Sequence, residues 1–214
     1  MATFLWTFIA FASGSLPFSV WVGRRLLGKE ITRYGDANPG ATNVFRAGGK
    51  SAAGRRAGIV AVLLDIAKGA LPVALATAWA GLSGAALWPV VWAPVAGHAF
   101  SPWLGWKGGK AVATTCGVWM ALTAWEFPTI GGLLLLIFYK LLDSSGWAVM
   151  LATTLTFGWL LLTPPAWNLL GLRPAPTDLF VMAAGTLLLL GWTHRHELAH
   201  LPRLRRAAPA RNNP

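Results

Sequence analysis

Apolar positions along this chain fall into seven blocks, at about 3–23, 57–81, 85–104, 111–125, 128–142, 146–168 and 178–193. A helix needs about 20 mostly apolar residues to cross a bilayer, so the pattern predicts an all-α membrane protein with about seven transmembrane helices. The blocks at 111–125 and 128–142 are short, and five or six crossings is the alternative. Polar residues collect between the blocks, chiefly at 24–56 and 106–110, and after the last one. With the N-terminus outside and the C-terminus in the cytoplasm, all but Arg173 and Lys68 of the 18 Lys and Arg residues fall on the inner side. Residues 1–200 then form a single polytopic domain and 201–214 a basic, disordered cytoplasmic tail.

Three blocks carry polar or helix-breaking residues. Pro17, in GSLPFS at 14–19, breaks the first; the break either lines a cavity or is a packing kink. Asp65 and Lys68 lie three residues apart on one helix face, and they pair with each other or point into a polar cavity. His98, in GHAF, reads as a satisfied helix-end histidine rather than a catalyst.

Composition sharpens the picture. A chain of 55% hydrophobic and 12% charged residues, with 13 Trp and mean hydropathy +0.54, departs from soluble domains, in which roughly a quarter of residues are charged. In a soluble protein the net charge of +11 would point to nucleic acid. Placed between crossings it sets topology and meets anionic lipid or substrate, and no nucleic-acid partner is expected. The single cysteine, Cys116, sits in an apolar block and excludes an internal disulfide. The first basic residue is Arg24, so a retained span is expected in place of a cleaved leader.

Three polar stretches could carry chemistry. Arg33 to Arg46, RYGDANPGATNVFR, combines Gly35, Pro39 and Gly40 with Asn38, Thr42 and Asn43 between two arginines. Glycines let backbone N–H groups cradle an anion and arginine offers a planar fork of donors, so a phosphate-bearing ligand is one reading and a solvated loop the other. Lys107, Gly108, Gly109 and Lys110 precede an apolar block, where free N–H groups and a helix dipole would face an anion. The spacing from Gly105 to Gly109 is one residue too short for a Walker A loop, which excludes a nucleotide site of that kind. The blocks after residue 128 are assigned scaffold roles, with Lys140 and Asp143 in an inner loop. After the last block, THRHELAHLPRLRR brings His194, His196 and His200, of which one beside the membrane could act as a base. His196 to His200 also reads HELAH, matching the zinc-protease helix motif H-E-x-x-H; Pro202 and the shortage of a third ligand besides His98 count against zinc.

The ordered set GSLPFS (14–19), RYGDANPGATNVFR (33–46), LLDIAKGALPV (63–73), GHAF (97–100) and WKGGKAVAT (106–114), with a histidine segment after the last span, resembles the bacterial acyl-phosphate:glycerol-3-phosphate acyltransferases. The likeness covers most of the chain. It implies a seven-helix enzyme of the bacterial plasma membrane with its site facing the cytoplasm. That enzyme would move a fatty acyl group from acyl phosphate to the 1-hydroxyl of glycerol 3-phosphate, giving lysophosphatidic acid for phospholipid synthesis, with no coenzyme A, metal or other cofactor. Acyl phosphate, glycerol 3-phosphate, membrane lipid and the soluble enzyme that makes acyl phosphate are the implied partners. An activated anhydride needs no serine or cysteine nucleophile; it needs cations for two phosphates, a route for one proton and donors for the oxyanion. The implied catalytic residues are His194, Lys110 and Arg46, with His194 acting as base or as a hydrogen-bonding partner of a phosphate that itself takes the proton. Lys107 would join Lys110 and Arg46 in holding phosphates. Asn38, Thr42 and Asn43 and the backbone at Gly40, Gly108 and Gly109 would orient them, and Asp36, Thr114 and Glu197 complete the substrate-binding set.

Departures from the family pattern fall in the site. Its usual YGSGN is here Gly35, Asp36, Ala37, Asn38, which puts a carboxylate where a phosphate-binding serine is expected, tolerable beside phosphate only if Arg33 or Arg46 neutralises it. The closing motif, usually RHRENI followed by an arginine, has Thr193 first, Glu197 in place of asparagine and His200 in place of arginine, and GGKG has become Gly108, Gly109, Lys110, Ala111. The alternatives are therefore a related enzyme with a different phosphorylated acceptor, a non-catalytic protein that binds lipid or acyl phosphate, and the zinc protease.

Overall fold

The computed structural model describes residues 1–205, and these residues contain helices but no strands. The helices are α1 (Ala2–Ser15), α2 (Phe18–Leu27), α3 (Ala41–Gly48), α4 (Ala52–Ala78), α5 (Trp88–Ala99), α6 (Val112–Thr123), α7 (Gly132–Leu141), α8 (Ser145–Leu162), α9 (Pro176–Thr193) and the short α10 (Arg195–Leu198). Four segments are long and apolar enough to cross a membrane: Ala2–Leu27 (α1 and α2 together), α4, α8 and α9. The blocks predicted at 85–104 and 111–125 hold helices of only 12 residues, about 18 Å of rise against a hydrocarbon core of about 30 Å. The block at 128–142 is α7 preceded by a π turn over Phe127–Gly131, with Pro128 near its start.

The break between α1 and α2 shows what Asp65 and Lys68 do. Pro17 has no N–H and cannot continue α1, which leaves carbonyls without helical partners. Lys68 Nζ donates to the Leu16 carbonyl at 2.8 Å, and the Ser101 hydroxyl donates to Ser15 O at 2.6 Å. Lys68 also pairs with Asp65 Oδ1 at 2.8 Å, and Ser19 donates to the other carboxylate oxygen at 2.6 Å. Both charged side chains are 2% exposed. The pair is thus mutual, as one of the two sequence readings had it, and its spare donor satisfies the freed backbone. Removing one partner strands a buried charge, so Lys68→Ala is expected to cost about 3–5 kcal/mol in detergent unfolding, with the Asp65→Leu/Lys68→Met double variant losing less.

Small residues let the helices meet at backbone distance, as packing inside a membrane favours. A side chain at Gly14 would overlap the Pro94 backbone of α5, and one at Gly117 of α6 would overlap Ile66 of α4. Trp119, fully buried, centres one core against Phe127 and Phe157, with its Nε1 donating to Thr186. A second core lies under the first polar stretch. There α3 buries Ala41, Val44 and Ala47 against Val20, Ile31, Ala57 and Ala61, so the latter half of that stretch is an amphipathic helix and not a loop.

Arg173, expected as a lone outer-loop cation, is instead buried. It forms an ion pair with Glu126 and donates to Thr163 O at 2.7 Å and Leu160 O at 3.1 Å, while Asn168 donates to Glu126 at 2.6 Å. This cluster joins the ends of α6, α8 and α9. The polar residues treated next gather at the other ends of the same three helices.

Candidate functional site

The first polar stretch is shaped by its own side chains. Gly35 and Ala37 both take positive φ, at 61° and 60°, which turns the chain tightly around Asp36; a side chain at Gly35 would also collide with Arg46 and Asn43. Asn43, on the inner face of α3 and 1% exposed, clamps that turn. Its amide donates to Asp36 Oδ1 at 3.0 Å and to Asn38 O at 2.9 Å, and its carbonyl oxygen accepts from Arg46 at 3.1 Å.

The lysine-glycine stretch doubles back on α5. Gly108 N donates to Ala99 O and Gly109 N to His98 O, both at 3.0 Å, and a side chain at Gly108 would strike the His98 carbonyl. Lys110 N donates to Asn38 Oδ1 at 3.2 Å, so this asparagine joins the two stretches across 72 residues of sequence. The side chain of Lys110 then reaches two carboxylates. It meets Asp36 Oδ2 at 2.7 Å and also pairs with Glu197 Oε1. Arg46 stands 3.6 Å from Asp36 Oδ1. Glu197 accepts in turn from Ser145 Oγ at 2.6 Å and from Gly146 N at the start of α8, where a helix dipole favours a negative charge.

Two cations and two anions thus close into a quartet, and its protonation follows from the contacts. Partial burial would raise the Asp36 carboxyl, yet the Lys110 bond and charge, with the bonds from Asn38 and Asn43, more than offset it and hold it below its ordinary value. Burial works the same way on Glu197, and Lys110, Ser145 and Gly146 bring it below the ordinary range as well. Burial would lower Lys110, but its two carboxylate partners keep it above its ordinary value. Asp36, Glu197 and Lys110 are therefore charged at neutral pH.

His194 lies immediately past α9 and is 1% exposed. Its Nδ1 is 2.9 Å from Leu190 O, and because a carbonyl only accepts, Nδ1 carries the proton. Nε2 therefore offers a lone pair, and it is buried without a hydrogen-bond partner. Burial pushes the imidazole below its ordinary pKa, against the opposing pull of the Leu190 bond and Glu197. The ring is tied to the quartet through the backbone, since Glu197 N donates to His194 O and the Thr193 hydroxyl donates to Lys110 O at 3.3 Å.

A cleft of about 660 Å³ is lined by Asp36, Arg46, Lys110 and Glu197 together with Asp143 to Ser145, His200, Leu201, Arg203 and Arg205. The structure thus draws Arg46, Lys110, Asp36 and Glu197 together in the cleft lining, with His194 joined to Glu197 through the backbone but buried and outside that lining. Other assignments change. The N–H groups of Gly40, Gly108 and Gly109 bond to carbonyls of the protein and do not face a ligand. Asn38 and Asn43 hold the loops in place and do not present their bonded atoms to the cleft. Thr114 is fully buried against His98 Nδ1 at 3.2 Å, away from the cleft lining. Thr42 and Lys107 are exposed and lie outside the lining, and Arg33 is exposed and is not a partner of Asp36. The HELAH match loses the helix it requires, because α10 ends at Leu198, before His200, and Glu197 is committed to Lys110.

Two groups of residues went unrecognised in the sequence. Ser145 and Gly146 belong to a segment given a scaffold role; the run Ser144-Ser145-Gly146 before an apolar block is a helix-start signal, and Ser144 does cap α8. Residues 201–205, expected within a loose tail, are fastened: Leu204 pairs antiparallel with Leu142, and Asp143 N and Arg205 N donate to Arg203 O and Leu141 O. The remainder of that expected tail, 206–214, lies outside the described residues.

Residues 4–203 match the family model described as glycerol-3-phosphate acyltransferase. A curated glycerol-3-phosphate acyltransferase of Nitratidesulfovibrio vulgaris is 32% identical over 95% of this chain and 57% of its own length. One of Anaeromyxobacter sp. (strain K) is 42% identical over 54% of this chain and 56% of its own length. The chain thus spans a little over half the length of these curated relatives. Among solved structures, the crystal structure of PlsY, an integral membrane glycerol 3-phosphate acyltransferase, superposes with a TM-score of 0.73 at 28% identity, covering 93% of this chain and 91% of that one. It is known in a lysophosphatidic acid form and a glycerol 3-phosphate form.

Proposed function

The chain belongs to the glycerol-3-phosphate acyltransferase family, and we propose that it transfers a fatty acyl group from acyl phosphate to the 1-hydroxyl of glycerol 3-phosphate at the cytoplasmic face of a bacterial plasma membrane. The observation that carries this reading is the convergence of Lys110, Arg46 and His194 on one end of an apolar helical bundle, with His194 joined to Glu197 through the backbone. The enzyme would cross the membrane about seven times, with the three shorter apolar segments completing the four long ones, the N-terminus outside and the C-terminus inside.

In this reaction the acceptor oxygen attacks the acyl carbonyl carbon, the bond from that carbon to the phosphate oxygen breaks, inorganic phosphate leaves, and the hydroxyl proton passes to a base. Arg46 and Lys110 would bind the acceptor's phosphate and His194 Nε2 would receive the proton. The products are lysophosphatidic acid and phosphate, with no covalent enzyme intermediate and no coenzyme A. Cationic side chains fixed by Asp36, Glu197, Asn38 and Asn43 need no reorganisation as charge develops, which is the condition for electrostatic catalysis.

One observation favours a second reading, a related phosphorylated acceptor: carboxylates flank Lys110 on both sides, so an incoming dianion competes with Asp36 and Glu197. Purified protein in detergent, given acyl phosphate with glycerol 3-phosphate or with other phosphorylated alcohols, tests both. Lysophosphatidic acid formed from acyl phosphate and not from an acyl thioester is the expected result. Absence of product with any acceptor would remove the enzymatic reading. Asp36→Ser frees one contact of Lys110 and is expected to lower the KM for glycerol 3-phosphate about 3- to 10-fold, on the scale of one charge-assisted contact. An unchanged preference among acceptors would remove the altered-acceptor reading.

A further inference from the structure

Two phosphates must meet in this site, and the quartet alone cannot hold them. Asp36 and Glu197 already balance the charges of Arg46 and Lys110. The cleft has two further cations, Arg203 and Arg205, on the segment 200–205 that contributes to its lining. That segment is held by five polar contacts of ordinary geometry. Arg203 N donates to Asp143 Oδ1 at 2.9 Å, Asp143 N to Arg203 O at 3.0 Å, Arg205 N to Leu141 O at 2.8 Å and Arg205 Nε to Leu142 O at 2.6 Å. The Trp147 indole donates to His200 O at 2.8 Å, and Ser144 to Ser145 of the same wall begin α8, which Ser144 caps. Neither guanidinium forms an ion pair among the described residues.

The alternation of the segment matters. In extended chain, residues two apart share a face, which puts Arg203 and Arg205 together on the cleft and Leu204 on the reverse. Leu204 is 74% exposed, and Leu201 85%. An extended strip with basic residues toward a polar cleft and Leu204 outward fits the membrane surface, where a lipid-borne donor presents its phosphate while its chain stays in the hydrocarbon.

We propose that Arg203 and Arg205 bind the phosphate of the acyl donor, apart from the Arg46 and Lys110 pair that receives the acceptor, and hold it as the leaving group when the carbonyl carbon to oxygen bond breaks. The inference rests on the acyl-phosphate reading given above. An anionic lipid headgroup offers the same phosphate chemistry, so the test separates the two sources.

The full chain is assayed in neutral detergent without anionic lipid, with each substrate varied in turn. Arg203→Gln/Arg205→Gln is expected to raise the donor KM about 10-fold or more and the inhibition constant of inorganic phosphate in parallel, while the acceptor KM stays within about twofold. The Arg203→Lys/Arg205→Lys variant keeps the charge and is expected to remain within about threefold of the parent, which guards against a simple folding defect. An unchanged donor KM, an equal rise in both KM values, or an effect seen only when vesicles contain phosphatidylglycerol would overturn the proposal. Should the parent protein make no ester, the acyl-transfer reading is what fails. Inorganic phosphate binding measured by calorimetry then decides the arginines: loss of binding in the glutamine variant supports them as a phosphate site, and retained binding overturns it.

Discussion

Lys110→Ala is expected to lower kcat/KM for acyl transfer by roughly 10³-fold or more, the largest single-residue loss in the protein. Removing one fixed electrostatic donor from an acyl-transfer site costs about 10²- to 10³-fold. Lys110 has a second task, because it is the shared partner of Asp36 and Glu197, which lie on two different polar stretches. Without it two carboxylates face each other and a phosphate dianion as well, and their pKa values, now below the ordinary range, must rise. The Asp36→Asn/Lys110→Ala double variant separates the two tasks. It relieves the repulsion and is expected to recover melting temperature in detergent while recovering little activity. Rates for Lys110→Ala within about tenfold of the parent would show that Lys110 holds the loops without stabilising transferred charge.

The same residue shows where sequence reasoning reaches and where it stops. The apolar blocks, the break at Pro17 and the Asp65 and Lys68 pair were legible because each is a local pattern: a run, a proline, a spacing of three. The stretches around Asp36, Lys110 and His194 were legible as carriers of unusual chemistry. Their wiring was not, since Asp36 meets Lys110 across 74 residues and Ser145 meets Glu197 across 52. The expectation that Gly108 and Gly109 would offer free N–H groups considered only the helix that follows them. Helix α5, which precedes them, ends at Ala99 with carbonyls in need of donors, and the chain turns back so that each set satisfies the other. Glycine at 108 then serves close approach to the His98 carbonyl and not an anion. Asp36 looked repulsive to phosphate for a related reason, because the neutralising partner was sought among Arg33 and Arg46 and the principal one is Lys110. The strip at 201–205 was read from composition, and a basic, proline-containing end carries no local sign that Leu204 will pair with Leu142.

His194→Gln is expected to reduce kcat by about 10²- to 10⁴-fold, the range for loss of a general base, and the pH profile identifies the role. In the sequence this histidine could equally be a base or a donor to phosphate. The bond from Nδ1–H to Leu190 O separates the two. With the proton fixed on Nδ1, a neutral ring has only a lone pair at Nε2 and can accept from the acceptor hydroxyl; donating from Nε2 would require the doubly protonated imidazolium. The group's pKa is lowered by burial, so the neutral form predominates at and above the ordinary histidine range. For a base, kcat/KM is level near neutrality and falls as pH drops through the lowered pKa. For an imidazolium donor the slope reverses, with activity highest in acid and lost as pH rises through that same value. The profile measured between pH 4.5 and 8 on the parent, and again on the glutamine variant, is expected to show the acid limb in the first and its disappearance from the residual rate of the second. A parent profile that declines from acid toward neutral pH would assign His194 to phosphate binding, leaving the departing phosphate to take the proton.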